Sequence, residues 1–344
     1  MKVIYICYQD FSDFTSGSKV RPYKVYKTFL EKGDDVILIN GRIKQRLKLF
    51  FSLLKSKAYR NADYCYVEPS TYPANPLDYI MFFYFKYKNI PMGYFYRDMY
   101  YRFPDLFKLE GLNKHILLLR YKFDLVLFKR LFKVVFFPSQ LMASYFKFKV
   151  KVPLPPAGNL EFEGDEEFYH SIIYVGGINN MLGSRILLEA MDLVNNQGKK
   201  LQLNLICRDQ DTKDISEYHN KSWLNVLHLS GDHLKEIYNK SDFAIIPRKR
   251  NPYFDFSMPV KLLEYMSYGK PMVVTDCTEM ANFVQRNEIG IVAEDNAESL
   301  ARSIIELSDS PEKLNKFRKN IRQSLLSENL WKHRINTIEE ALLS

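Results

Sequence analysis

The chain has 344 residues, which is too long for one ordinary core and fits two domains. Its hydrophobic content of 47% excludes global disorder. Its formal net charge of +9 indicates an anionic partner, such as nucleic acid, an anionic membrane surface or a nucleotide. The four cysteines are scattered without the paired spacing of metal ligands, so we expect no metal and a reducing, cytoplasmic compartment. We find no uncharged apolar run of about 18 residues and no signal peptide.

Strand-like and helix-like patterns alternate from the start of the chain. Lys2–Tyr8 and Asp35–Asn40 predict strands, and Lys19–Lys32 predicts a helix that ends at Gly33. This is the opening βαβ unit of a doubly wound sheet, in which ligands lie at the carboxyl ends of strands. In the polar loop after the first strand, Gly17 would let a ligand approach the backbone. The Gly-x-Gly-x-x-Gly fingerprint is absent, which argues against a dinucleotide site.

Two segments of the first half combine basic and long apolar side chains. Arg42–Arg60 contains seven basic residues and no acid, and His115–Val135 repeats the combination. As helices they are typical of segments that rest on an anionic bilayer surface. The alternatives are ordinary domain helices with a wet basic face, or a nucleic-acid-binding surface, for which no motif is present.

Carboxylates follow two further predicted strands. Tyr64–Glu68 ends in Glu68, and Ile90–Tyr96 is followed by Arg97 and Asp98. A carboxylate in this position is well placed for chemistry, and in an inverting sugar transfer it would deprotonate the acceptor hydroxyl. Asp98 is the candidate base, and Glu68 is a second carboxylate in a comparable position. The competing interpretation is that Asp98 pairs with Arg97 or caps a loop.

A proline-rich stretch, Val152–Gly158, predicts an extended connector between two domains. We place the first domain at residues 1–155, the second at 156–328 and a final helix at 329–344. In the second domain Ser171–Val175 runs into Gly176 and Gly177, where a phosphate or sugar could approach the backbone. Arg208, at the end of the strand Leu201–Cys207, could contact phosphate or stack on a base, although an ordinary surface arginine is equally consistent with the pattern.

The most informative stretch is Pro247–Asp276, which reads as a strand end, a basic loop, a short helix and a second strand. We expect Ser257 to cap this helix, Pro259 to lie in its first turn and Gly269 to end it. Lys261 and Glu264 lie three residues apart and therefore on one side of the helix. The amino terminus of a helix after a parallel strand favours an anion.

This arrangement suggests a nucleoside diphosphate, with Lys261 and the preceding Arg248 near phosphate and the carboxylate of Glu264 accepting ribose hydroxyls. The alternative interpretation of Lys261 and Glu264 is a solvated surface pair of the kind that contributes little to stability.

The segment PVKLLEYMSYGKPMVVTD resembles the donor site of GT-B glycosyltransferases of the "group 1" type, and GIVAEDNAESLARSIIEL resembles the end of their second domain. The resemblance implies that Glu264 holds the nucleotide ribose and Lys261 the diphosphate, and that Gly17 and Gly177 face the ligand cleft. Many members have a further glutamate eight positions before the ribose glutamate, where it contacts the donor sugar. Here that position is Phe256, with Asp255 beside it.

The implied fold is α/β, with two doubly wound Rossmann-like domains facing a cleft and a C-terminal helix that crosses back to the first domain. The implied function is a metal-independent, hexosyltransferase-type glycosyltransferase without a cofactor, which moves a sugar from a nucleotide sugar to an acceptor hydroxyl. The basic segments suggest a lipid-linked or cell-surface saccharide acceptor at the cytoplasmic membrane face. A non-catalytic GT-B-like partner subunit and a basic nucleic-acid-binding protein remain alternatives.

Overall fold

The computed structural model describes residues 1–11, 19–104, 106, 111–163 and 167–344, and within these it leaves the side chains of residues 111–114 and 232 undescribed. The chain divides into two compact units. Unit 1 comprises Met1–Pro156 and Trp331–Ser344, and unit 2 comprises Ala157–Leu330. Each unit contains one six-stranded sheet in which every pairing is parallel. The expected α/β class with two doubly wound domains is therefore confirmed.

The sheet of unit 1 has the strand order β2-β1-β3-β4-β5-β6. Its strands are β1 (Lys2–Cys7), β2 (Asp35–Asn40), β3 (Tyr64–Glu68), β4 (Met92–Phe95), β5 (Val134–Phe137) and β6 (Lys151–Pro153). Its helices are α1 (Val20–Glu31), α2 (Ile43–Ser56), α3 (Asp78–Tyr87), α4 (Gly111–Leu131), α5 (Gln140–Ser144) and the last helix of the chain, α13 (Trp331–Leu343). The strand order reverses between β1 and β3, so the switch point of this sheet lies there.

The last helix packs on unit 1 and holds several distant parts of it. Glu339 forms an ion pair with Lys32, and Lys133 donates to the carbonyl oxygen of Leu342 at 2.9 Å. Arg334 donates to the carbonyl oxygens of two consecutive prolines, at 2.9 Å and 3.0 Å, where the chain leaves unit 1. These contacts agree with the expectation of a C-terminal helix that returns to the first domain.

Buried ion pairs account for several charges of unit 1 that the sequence pattern left unassigned. Arg46, in the predicted basic helix, is buried and forms a bidentate pair with Asp78, with both Nη2–oxygen distances at 2.7 Å. Arg21 pairs with the fully buried Glu68 at 2.9 Å. Glu68 is therefore neutralised inside the protein by Arg21, which argues against a catalytic role for this carboxylate.

The sheet of unit 2 has the order β12-β11-β10-β7-β8-β9. Its strands are β7 (Ser171–Val175), β8 (Gln202–Ile206), β9 (Leu224–Leu227), β10 (Phe243–Ile246), β11 (Met272–Thr275) and β12 (Gly290–Ala293). Its helices are α6 (Ser184–Asn196), α7 (Leu234–Asn239), α8 (Pro252–Phe256), α9 (Val260–Ser267), α10 (Thr278–Asn287), α11 (Ala297–Ser308) and α12 (Pro311–Ser324). The strand order reverses between β7 and β10.

Two local expectations for the segment before α9 were wrong. Residues read as a loop form the short helix α8, because the side chain of Asn251 caps it by accepting from the backbone N–H groups of Tyr253 and Phe254. Ser257 does not cap α9; Pro259 is the N-cap residue, and no side chain caps that end. Gly269 follows the last turn with a φ of 67°, as expected for a left-handed helix stop.

The strands of both sheets are short and apolar because helices cover them. In β1 and β3 nearly every residue is buried, as expected for central strands of a parallel sheet. In unit 2, the strands separate two hydrophobic clusters, one against α6 and α11 and the other against α9 and α10. Within the described part of the chain, no helix has both the length and the hydropathy needed to cross a membrane.

Candidate functional site

The candidate site lies at the switch point of unit 2, where β7 and β10 are neighbours and the connections leave in opposite directions. Gly176 follows β7, and Arg248 follows β10 by two residues. Helix α9 begins after the same loop and brings Lys261 and Glu264 to this end of the sheet. A crevice at the carboxyl ends of strands beside a switch point is the usual ligand position in open α/β sheets.

The ammonium group of Lys261 is buried and has no hydrogen-bond partner among the described residues. It lies 4.4 Å from the centre of the Tyr174 ring, and the negative face of this ring partly stabilises the ammonium charge. Burial, together with the positive charge of Arg248, lowers the pKa of Lys261 to about 7, against a smaller opposing effect of Glu264. The interpretation of Lys261 as a solvated surface charge is therefore wrong.

Arg248 contributes a second cation to the same place. Its Nη1 donates to the hydroxyl of Ser257 at 2.7 Å, and its guanidinium carbon lies 4.5 Å from the centre of the Phe254 ring. Its Nε is buried without a hydrogen-bond partner in the described chain, and burial lowers the pKa of its guanidinium. Neither Arg248 nor Lys261 forms an ion pair with a described carboxylate, so this site lacks a paired anion for its two buried cationic groups, which is costly when both are charged.

Glu264 lies one turn beyond Lys261 on α9. The hydroxyl of Tyr238, from α7, donates to its Oε1 at 3.1 Å, and the Tyr238 ring stacks on Tyr268 with centroids 4.2 Å apart. Burial raises the pKa of the Glu264 carboxyl, while the Tyr238 hydrogen bond and Lys261 act in the opposite direction. Oε2 makes no hydrogen bond to a described residue, so this oxygen can accept from a ligand hydroxyl.

The two glycines after β7 have different environments. A Cβ on Gly176 would lie 3.0 Å from the Nζ of Lys261 and 3.0 Å from the hydroxyl of Tyr174. A Cβ on Gly177 would meet nothing closer than a Leu182 methyl at 3.4 Å, which is ordinary contact. The backbone thus approaches the cationic cluster most closely at Gly176. The carbonyl of Gly177, the residue selected from the sequence, accepts from the Tyr174 hydroxyl at 2.8 Å.

A further glycine shapes the loop of Arg248. Gly183, which precedes α6, has a φ of 72°, and a Cβ there would lie 1.5 Å from the carbonyl oxygen of Pro247. Only glycine fits this position, for reasons of both backbone conformation and space. The start of α6 therefore packs directly against the backbone that carries Arg248.

Other residues selected from the sequence lie apart from this cluster. Arg208 is exposed at the start of a 3₁₀ segment, and no contact links it to Lys261 or Arg248. Asp255 caps α10, since its Oδ1 accepts from the backbone N–H of Thr278 at 2.9 Å and from the Thr278 hydroxyl at 2.8 Å. Arg250 also pairs with this carboxylate, at 3.1 Å.

Phe256, at the position where the resemblance places a donor-sugar glutamate, is 2% exposed, and its ring packs on Tyr253 with centroids 5.1 Å apart. Neither residue at this point therefore offers a free carboxylate, because Phe256 is apolar and buried and the side chain of Asp255 is engaged in capping.

The selected residues of unit 1 are Asp98 and Gly17. Asp98 lies three residues after β4 and lines a small cavity with Tyr72, Tyr96 and Arg97. Its Oδ1 accepts from the backbone N–H of Met99 at 2.7 Å, so a loop-capping role is present. Gly17 lies outside the described residues.

Sequence reasoning missed Tyr174 and Tyr238, which support the charged residues of the site. Tyr174 lies within the buried strand β7 and Tyr238 on α7, and their sequence patterns are those of ordinary core tyrosines. Only the spatial neighbours, Lys261 and Glu264, distinguish them. Among the described residues, no group of three or more His, Cys, Asp or Glu side chains is placed to hold a metal ion.

Comparison with known proteins gives the class of the protein. Residues 169–310 match the family model described as "Glycosyl transferases group 1". These residues contain Gly176, Arg248, Lys261 and Glu264, so the family segment and the cationic site coincide. Unit 2 therefore contains the segment similar to this family, and the two six-stranded parallel sheets agree with the GT-B fold.

Solved structures share this fold over the whole chain at low identity. Sucrose-phosphate synthase from Thermosynechococcus elongatus is 13% identical, with a TM-score of 0.66 over 99% of this chain and 98% of that one. Anabaena HepE, solved in complex with UDP, is 13% identical, with a TM-score of 0.67 over 99% of each chain. WaaG, a glycosyltransferase involved in lipopolysaccharide biosynthesis, is 13% identical, with a TM-score of 0.67 over 98% of this chain and 99% of that one. A search of curated proteins finds no match.

Proposed function

We propose that this protein transfers a hexose from a nucleotide sugar to a hydroxyl group of a saccharide acceptor, and that unit 2 binds the nucleoside diphosphate. The observation that carries the proposal is the pair of buried cationic groups, Arg248 Nε and Lys261 Nζ, which lack hydrogen-bond partners in the described chain at the switch point of the family segment. A diphosphate would neutralise both charges and satisfy their unpaired donors. The complex of Anabaena HepE with UDP supports this ligand class.

The proposed reaction forms one bond and breaks one. The acceptor oxygen attacks the anomeric carbon, and the bond from that carbon to the β-phosphate oxygen breaks with its electron pair leaving on the diphosphate. Lys261 and Arg248 stabilise the charge that develops on this leaving group, a large contribution when donors are fixed before the reaction. Glu264 accepts hydrogen bonds from the ribose hydroxyls through Oε2 and, together with the Tyr238 hydroxyl, fixes the nucleotide.

Asp98 is the base that we propose for the proton of the acceptor hydroxyl, in an inverting transfer. The support for this role is its position three residues after β4, where Asp98 lines the small cavity with Tyr72 and Tyr96. The proposal assigns no step to a metal ion or a cofactor, because the cationic side chains serve the role of a divalent ion at the diphosphate. The acceptor that we propose is a lipid-linked or cell-surface saccharide at the cytoplasmic face of a membrane; WaaG, of similar fold, acts in lipopolysaccharide biosynthesis.

A second candidate function is a GT-B-like subunit that binds nucleotide without catalysing transfer. The burial of Phe256 and the capping role of Asp255 favour it, because neither residue presents a free carboxylate where the resemblance places the donor-sugar glutamate. In that case nucleotide binding would persist without release of nucleoside diphosphate from any donor.

The experiment that tests the proposal has two stages. A panel of UDP-, GDP-, ADP- and CMP-linked sugars is first tested for protection against thermal unfolding, which reports binding by mass action. The protecting donor is then incubated with saccharide acceptors, and release of its nucleotide is measured for the wild type and for Lys261→Met, Glu264→Gln and Asp98→Asn. We expect the first two variants to lose donor protection and the third to retain it while losing transfer.

Arg185→Gln is the matched control, because Arg185 is an exposed cation of the same unit that pairs with Glu189 on its own helix. It should behave as the wild type. Protection without transfer for every donor would favour the non-catalytic subunit, and absence of protection by every donor would refute the proposed function.

A further inference from the structure

Helices α3 and α4 of unit 1 expose large apolar side chains at helical spacing. On α4 the exposed residues recur at intervals of three and four, so they form a single stripe. Tyr79 joins the two helices, since its ring lies 6.3 Å from that of Phe83 and 6.0 Å from that of Phe123. We call this surface the α3/α4 face and define it by Phe83, Tyr87, Ile116, Leu119, Phe123 and Val126, of which Tyr87 is 76% exposed and Leu119 69%.

The charged groups around the α3/α4 face have one sign. Each of the two helices contains one acid, and both are buried: Asp78 pairs with Arg46, and Asp124 accepts from the Tyr79 hydroxyl at 2.7 Å. Burial also raises the pKa of Asp124 to about 6, which further reduces its negative charge. The exposed charged residues on the described parts of these helices are all basic: Lys86, Arg120, Lys122, Lys129 and Arg130.

Helix α2 extends the positive surface and adds one large exposed apolar side chain. Its apolar residues Phe50 and Leu53 are buried, whereas Phe51 is 56% exposed, and Arg46 is used in the internal ion pair. The remaining basic side chains of α2, Lys44, Lys48 and Lys55, are exposed. The sequence left this helix open between a membrane segment, a domain helix with a wet basic face and a nucleic-acid surface; the structure packs it beside α3 within unit 1, with its basic side exposed.

We infer that the α3/α4 face is a docking surface for an anionic lipid bilayer, into whose interface the six apolar side chains insert. Exposed apolar patches bordered by charge mark interaction sites on soluble proteins. Long basic side chains that flank aromatic and aliphatic ones can extend toward headgroup phosphates while the apolar residues enter the acyl boundary. The absence of exposed acids on the described parts of α2, α3 and α4 selects an anionic surface over a neutral one.

This inference rests on unit 1 alone. It refines the membrane part of the proposed function, and its test does not depend on whether the protein transfers a sugar. Each basic side chain near an anionic surface contributes about a fivefold factor to partitioning, so the basic residues should dominate the lipid selectivity. The apolar residues should set the affinity that remains at high salt.

The test is cosedimentation of the full chain with sucrose-loaded vesicles, at 150 mM salt. Vesicles of phosphatidylcholine with one quarter phosphatidylglycerol are compared with vesicles of phosphatidylcholine alone. We expect binding to the anionic vesicles and at least tenfold weaker partitioning to the neutral ones. The double variant Leu119→Ser/Phe123→Ser should lose at least tenfold, and Lys122→Gln/Lys129→Gln/Arg130→Gln should lose about 100-fold.

Matched controls come from unit 2. Leu326→Ser removes an apolar side chain that is 46% exposed, and Lys235→Gln/Lys240→Gln/Lys316→Gln removes three exposed basic residues. Both should bind vesicles as the wild type does. Thermal protection by the donor nucleotide, measured for every variant, shows that unit 2 is intact and separates failure of this inference from failure of the proposed function.

Two results would overturn the inference. One is equal sedimentation of the wild type and the Leu119→Ser/Phe123→Ser variant with anionic vesicles. The other is absence of vesicle binding combined with a concentration-dependent dimer, measured by light scattering, that the same variant dissociates. That outcome would assign the α3/α4 face to a second copy of the chain.

Discussion

The low pKa of Lys261 makes diphosphate binding depend on pH in a defined direction. Without ligand, burial and Arg248 hold this pKa at about 7, so half of the ammonium groups are deprotonated at pH 7 and about 99% at pH 9. A bound diphosphate supplies the missing negative charge and favours the ammonium form. Binding therefore takes up a proton, and affinity should fall as pH rises above 7.

The size of the effect follows from the protonated fraction. If the bound ammonium stays protonated to pH 9, affinity falls about 50-fold between pH 7 and pH 9, or about 2.3 kcal/mol. The terminal phosphate of the ligand has its own pKa near 6, so its charge changes little in this range. Lys261→Arg keeps the charge at all these pH values and should remove the dependence, and Lys261→Met should bind weakly with no pH slope.

Isothermal titration calorimetry with UDP, as the first nucleotide of a panel, measures both quantities. Titrations at pH 8 in buffers of different ionisation enthalpy should give an uptake of about 0.9 proton per nucleotide bound. A pH-independent affinity of the wild type between pH 7 and pH 9, or an unchanged slope in Lys261→Met, would refute the assignment of Lys261 to the phosphate.

Three further predictions concern the packing around the site and the fold of unit 1. Gly176→Ala should weaken nucleotide binding in calorimetry at least tenfold by displacing the ammonium group, whereas Gly177→Ala should bind normally; equal losses would contradict the assigned close approach. Gly183→Ala should destabilise the protein more than Gly198→Ala, because the second variant has no clash and loses only the roughly 1–2 kcal/mol that a side chain costs at positive φ. Equal urea midpoints of the two variants would contradict the packing argument. Arg21→Met leaves the buried carboxylate of Glu68 without its ion-pair partner and should lower the free energy of unfolding by roughly 3–5 kcal/mol. A loss below 1 kcal/mol would show that the pair is not buried in solution.

The sequence predicted the class of fold and the centre of the site because both depend on local patterns. Short apolar runs separated by helical segments specify parallel strands, and parallel strands bring their carboxyl ends to one edge. Lys261 and Glu264 share a helix face at any tertiary arrangement, because they lie three residues apart. Their association with Arg248 follows from the short strand–loop–helix connection.

The functions of other charged residues could not be predicted, since their partners are distant in sequence. Glu68 meets Arg21 across 47 positions, and Asp255 meets Thr278 across 23. A carboxylate at the end of a strand looks the same in the sequence whether it is catalytic, ion-paired or part of a cap. Arg208 has a suitable position in the chain, but its side chain lies in solvent.

The contacts of α13 have a consequence for the order in which this protein matures on the ribosome. Unit 2 is an uninterrupted segment and can complete its hydrophobic clusters as soon as residue 330 has emerged. Unit 1 begins first, yet it lacks the partners of Lys32 and Lys133 until Glu339 and Leu342 have emerged. Unit 2 should thus be complete before unit 1, and a released chain truncated after Leu330 should show a protease-resistant unit 2 beside a protease-sensitive unit 1.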